Sequence, residues 1–215
     1  MYKKILTKNQ LNLLPLIKKL SKDYYLVGGT AIALHIGHRR SIDFDLFTAK
    51  KINRTKIKKF IQQSNLSIQQ LIYEDSDQLH IIINSVKMTF YSFPYKIPSD
   101  IHFENIISVP TLLDLGAMKA FAIGRRAKWK DYVYMYYLFK YHFNLQEVST
   151  RAKTLFGNDF SQKLLRQQLC YFDDVDYTET VEFISDQVSE STIKDFLIDV
   201  STSTLENSCD KENKK

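Results

Sequence analysis

The sequence predicts an α/β (α+β) half over residues 1–107 and a helical half over 108–200, with residues 201–215 as a flexible tail. Three observations carry that division. Apolar residues alternate with period two in several short runs before residue 93, and helical periods separate those runs. Pro94, Pro98 and Pro110 then interrupt the pattern. From Thr111 onward only the helical period remains.

Each element has its own signal. Leu11, Leu14, Ile17 and Leu20 recur at helical spacing over 9–22, with Lys18 and Lys19 opposite. Residues 24–27 (YYLV) read as a short buried strand ended by Gly28-Gly29, and 30–36 as a helix stopped by Gly37. Residues 41–47 alternate, with Ile42, Phe44 and Leu46 on one face and Asp43 and Asp45 on the other. A helix is expected at 55–63, then strands at 69–74, 79–83 and 86–92, the last two joined by a tight turn at Asn84-Ser85. Thr111 and Asp114 form a capping-box start to a long apolar helix. Helices are further expected at 131–143, 145–156, 160–170, 177–189 and 191–200.

Composition excludes several classes. No apolar run approaches the ~20 residues of a membrane span, and the N-terminal residues lack a signal-peptide core. Cys170 and Cys209 stand far apart without metal spacing, which fits a reduced, cytoplasmic setting. The net charge of +6 is unevenly spread. Residues 1–60 carry 14 Lys/Arg against three acids, whereas 171–199 carry nine acids and one lysine. A basic half suits a polyanionic partner such as a nucleotide or RNA, although lysines such as Lys56, Lys58 and Lys59 equally suit a solvated helix face.

Asp43 and Asp45 are the sharpest chemical signal. On a strand, i and i+2 share a face about 7 Å apart, and like carboxylates that close repel unless a cation or proton intervenes. Mg²⁺ is commonly held by one or two carboxylates plus substrate phosphates. Gly28-Gly29-Thr30 lies one helix upstream, between strand and helix, where backbone amides can hold an anion. Thr30 can add a donor while capping that helix. Downstream, Lys119 interrupts an apolar helix face made by Leu112, Leu115, Ala122 and Ile123. Arg126 and Lys130 flank a basic turn and are candidate phosphate contacts, while Asp131 suits the first turn of the next helix. His35 and His38 straddle Gly37 and read as helix-end residues, and the tyrosines of 132–137 read more readily as packing than as base platforms.

The stretch GGTAIALHIGHRRSIDFDLF resembles the first motif of the nucleotidyltransferase superfamily, the DNA polymerase beta-like fold. More narrowly, it is similar to the AbiEii/MenT-type nucleotidyltransferase toxins of bacterial type IV toxin–antitoxin systems. DLGAMKAFAIGRRAKWKDYVYMYYL is similar to that family's D-L-x-x-x-K helix and its following R-x-x-x-K-D. The resemblance runs over residues 24–140. It implies a nucleotidyltransferase-like mixed sheet flanked by helices, and transfer of a nucleotide from an NTP with release of pyrophosphate. Acceptors would be RNA, tRNA ends in some members, and an antitoxin protein is an implied partner. By the same resemblance Gly28, Gly29 and Thr30 hold the phosphates, and Asp43 and Asp45 hold Mg²⁺ or Mn²⁺. Lys119 contacts the nucleotide, and Asp131 is the late essential acid.

Two positions depart from that pattern. Thr89 occupies the place of a third carboxylate, and Tyr134 that of a second aspartate after Asp131. Two alternatives therefore stand beside the enzyme. One is a weak or inactive member that binds nucleotide or RNA, and the other is a protein-interaction module.

Overall fold

The computed structural model describes residues 1–184 and 187–203. Thr7 opens α1 (Lys8–Leu20) with a closed capping box: its hydroxyl accepts the Gln10 amide, and the Gln10 side chain accepts the Thr7 amide. The buried face of α1 runs through Leu13, Leu16, Ile17 and Leu20, while Leu11 lies at its exposed edge. β1 (Tyr25–Val27) passes directly into α2 (Gly28–Ile36). The helix thus begins two residues earlier than expected. Thr30 lies inside its first turns, so it does not act as its cap.

β2 (Phe44–Thr48) buries Phe44, Leu46 and Thr48 and leaves Asp45 and Phe47 half-buried on the other face. Ile42 was expected beside Phe44 but is 61% exposed. Pairing with β1 and β5 starts only at Phe44, so nothing imposes the strand alternation on the residues before it. Asn53 caps α3 (Arg54–Gln62). β3 (Gln70–Glu74), β4 (Gln78–Ile83) and β5 (Val86–Ser92) follow as expected. Asn84 and Ser85 both take positive φ, +51° and +59°, as a two-residue hairpin turn of right-handed twist requires.

The five strands form a mixed sheet in the order β1-β2-β5-β4-β3. β2 and β5 are parallel, and the other neighbours are antiparallel. One face carries Phe44, Leu46, Leu79, Ile81, Met88 and Phe90, all buried. The segment read as irregular contains a hairpin, β6 (Ile101–Phe103) and β7 (Ile107–Val109), which buries Phe103, Ile107 and Val109. Three-residue strands are too short to show a period.

α4 (Leu112–Ile123) starts at Thr111, whose hydroxyl accepts the Asp114 amide at 3.1 Å. α5 (Trp129–Tyr141), α6 (Leu145–Phe156), α7 (Gln162–Leu169) and α8 (Glu190–Thr202) complete the helices. Tyr132, Tyr134 and Tyr136 are fully buried. The helix expected at 177–189 is absent from its described residues. The backbone in and just before that stretch pairs with other segments instead: Asp176 with Ala127 and Trp129, Glu182 with Arg40, and Ile184 with His38. α8 runs through Thr202, two residues into the expected tail, and residues 204–215, with Cys209, lie outside the described residues.

The chain forms two compact units. The first comprises Met1–Met118 and Val181–Gln187, and the second Lys119–Thr180 and the segment from Val188.

Candidate active site

In the first unit, the corner between β1 and α2 is built around the Asp45 carboxylate. Gly28 has φ +71°, a conformation that costs a residue bearing a Cβ about 1–2 kcal/mol. A Cβ at Gly28 would overlap Asp45 Oδ2 and lie 2.8 Å from its Cγ. Glycine is required twice at this position, once by the backbone and once by the carboxylate. Asp43 is held through its main chain: its carbonyl accepts the Thr30 hydroxyl and, at 3.4 Å, the Gln10 side-chain amide. Thr30 and Gln10 are both buried. The residues that fix the first acid thus come from α1 and α2. Gln10 bore no sequence signal beyond its capping box.

The half-buried face of the sheet places Asp45 in a row. Val27, Asp45, Thr89, His80 and Tyr73 are successive register partners across the five strands. Thr89 therefore stands directly opposite Asp45. Two residues along, Phe47 and Tyr91 pack edge to face at 5.1 Å, and Tyr25 meets Phe47 at 6.5 Å.

A divalent cation with a nucleotide fits these residues. The Asp45 carboxylate lies at this corner, with the Asp43 main chain held beside it. A glycine leaves the room that a Cβ would fill, and α2 begins there with amides that the helix itself cannot pair. Among the described residues no three of His, Cys, Asp and Glu form a metal-binding group. The set therefore suits Mg²⁺ or Mn²⁺ completed by substrate phosphates, rather than a closed all-protein site.

In the second unit, Lys119 and Asp131 are brought together as one buried ion pair at 2.5 Å, with side-chain exposures of 8% and 0%. Burial works against the Asp131 charge. The Lys119 and Arg126 cations outweigh it and hold the carboxyl below the usual carboxylate range. Arg126 approaches Asp131 Oδ2 to 3.4 Å from a half-exposed position. The Lys119 ammonium also stands over the Tyr134 ring at 5.1 Å from its centroid, so the residue in place of the second aspartate packs against the buried lysine. Lys130 and Lys128 share one partner, Glu179. Burial raises the Glu179 carboxyl, but hydrogen bonds from both lysines prevail and lower it to about 2. Glu179 escaped sequence reasoning because it lies 49 residues from Lys130, within a stretch read as helix.

The remaining candidates resolve into packing. His35 meets the Pro110 carbonyl at 3.0 Å. Trp129 stacks on Tyr132 and Tyr177.

A model of the family "Nucleotidyl transferase AbiEii toxin, Type IV TA system" matches residues 17–206. An uncharacterised protein of Aquifex aeolicus is 30% identical over 179 residues, spanning 80% of this chain and 85% of that protein. Among solved structures, the fold resembles MenT4, a nucleotidyltransferase toxin of Mycobacterium tuberculosis, with a TM-score of 0.58 and 12% identity over 90% of this chain and 82% of that one. It also resembles JHP933 of Helicobacter pylori, with a TM-score of 0.50 and 20% identity over 69% and 75%. The mixed sheet with flanking helices is thus a nucleotidyltransferase fold, and the chain belongs to the AbiEii nucleotidyl transferase toxin family of type IV toxin–antitoxin systems.

Proposed function

We propose that this chain transfers a nucleotidyl group from a magnesium-bound NTP to a hydroxyl of RNA, a tRNA end included, with pyrophosphate as the leaving group. The observation that carries the reading is the close approach of Gly28 to the Asp45 carboxylate, beside an Asp43 main chain held by Thr30 and Gln10. Asp43 and Asp45 hold the divalent cation, Mg²⁺ or Mn²⁺. When bound, it neutralises phosphate charge and polarises the α-phosphorus. Gly28, Gly29 and Thr30 present the start of α2 to the phosphates. In the second unit Arg126 and Lys130 are phosphate contacts, with Lys130 exchanging Glu179 for phosphate. Asp131 keeps Lys119 charged. Positioning and charge neutralisation supply most of the rate in such a transfer. An antitoxin is the protein partner that the family implies, and the cytoplasm is where NTP, RNA and antitoxin meet. No helix among the described residues is long and apolar enough to cross a membrane.

Incubation with each of four α-labelled NTPs, Mg²⁺ and total RNA tests this reading. Asp43→Asn and Asp45→Asn each lower labelling at least ~100-fold while the protein stays folded. Full labelling by both variants overturns the assignment. Thr89 opposite Asp45 favours one rival, nucleotide binding without turnover. Mg²⁺-dependent NTP binding in a calorimeter with no RNA labelled would select it.

A further inference from the structure

Strand β4 adds a histidine to the row that contains Asp45. His80 is the register partner of Thr89, which is the partner of Asp45, so all three share one face of the sheet. Neighbouring strands lie about 4.8 Å apart, which puts the His80 and Asp45 backbones about 10 Å apart with only a threonine side chain between them. The His80 ring meets Tyr73 edge to face at 5.6 Å, and its Nε2 lies 3.0 Å from Gln78 Oε1. An amide oxygen can only accept, so Nε2 carries the hydrogen and Nδ1 keeps its lone pair.

We propose that His80 is the base that takes the proton from the acceptor hydroxyl; this rests on the nucleotidyltransferase reading above. The hydroxyl O–H bond breaks and its proton passes to His80 Nδ1. The freed oxygen pair forms the bond to the α-phosphorus. The bond from phosphorus to the bridging oxygen breaks, and its electron pair leaves with pyrophosphate. Thr89 cannot accept that proton near neutral pH, and it is buried in the row between Asp45 and His80. The groups facing His80 are Asp45 on β2, Lys87 on β5, and Tyr73 and Asp75 on and after β3. Burial, aided by Lys87, holds the imidazole below its ordinary value against the opposing pull of Asp45 and Asp75, so the neutral form prevails at pH 7.

Two measurements test the proposal. Mn²⁺ with a non-hydrolysable ATP analogue should strongly broaden the NMR signal of the His80 ring, and Asp45→Asn should abolish that broadening. Broadening of the Asp43 and Asp45 amides without His80 overturns the inference but leaves the nucleotidyltransferase reading standing. Broadening of neither overturns both. In the label-transfer reaction, His80→Gln should be ~100-fold slower with unchanged NTP affinity and melting temperature, and added imidazole should partly restore His80→Ala. A wild-type rate in His80→Gln refutes the role.

Discussion

Gly28 and Asp45 share a space that one more carbon would close, because a Cβ on Gly28 would sit 2.8 Å from Asp45 Cγ and 3.0 Å from its Cβ. Gly28→Ala therefore combines a backbone penalty of about 1–2 kcal/mol with displacement of the carboxylate. The expected variant melts several degrees lower and binds Mg²⁺·NTP at least ~10-fold more weakly. Thermal melting and titration calorimetry check the two effects separately. Unchanged nucleotide binding would remove Gly28 from the site.

Thr89→Asp would place a third carboxylate opposite Asp45. Facing like charges on adjacent strands destabilise the sheet by roughly 0.2–1 kcal/mol, and a shared cation reverses that. Without metal the variant should melt lower than wild type. With Mn²⁺ it should recover and bind the ion more tightly, whereas Thr89→Val should leave Mn²⁺ binding as it was. A Thr89→Asp protein indifferent to Mn²⁺ would show that the row does not face a common ion.

Removing Lys119 leaves the Asp131 carboxylate buried with only the half-exposed Arg126 nearby, 3.4 Å away. Lys119→Met should cost about 3–5 kcal/mol in urea unfolding. The double variant Lys119→Met/Asp131→Leu should be more stable than the single one, since it removes the stranded charge together with its partner. A single variant as stable as wild type would contradict the buried pair.

The Glu179 carboxyl is lowered from 4.5 to about 2 by Lys128 and Lys130. Its contribution to stability is therefore present above pH 4.5 and lost as the pH falls from 4.5 toward 2. Glu179 is 38% exposed, so solvent screening limits the effect to about 1 kcal/mol or less. Urea midpoints at pH 7 and pH 3 should differ less in Glu179→Gln than in the wild type. An equal difference in both proteins would place the acid-sensitive group elsewhere.

The elements were legible where the signal is local. The Asn84-Ser85 turn, the Thr111 start of α4 and the 145–156 helix follow from neighbouring residues, and they stand where expected. The errors arose where distant partners intervene. Residues 177–184 have helical spacing, yet Glu182 and Ile184 pair through their backbones with Arg40 and His38, and Asp176 just before them pairs with Ala127 and Trp129. Thr30 has the chemistry of a cap, but Gly28 can turn the corner first, and the hydroxyl then serves the Asp43 carbonyl instead.

The amino-acid sequence by itself determined the order of strands and helices from α1 to β5 and from α4 to α7, and singled out Gly28, Gly29, Asp43 and Asp45 as candidates, because period, punctuation and i, i+2 spacing are properties of neighbours. Tertiary structure alone decided that Thr89 and His80 lie in the row of Asp45, that Gln10 holds Asp43, and that Lys119 and Asp131 form one buried pair. Those relationships depend on strand register and on which charges are removed from water together, and both are settled only when segments far apart in the chain pack.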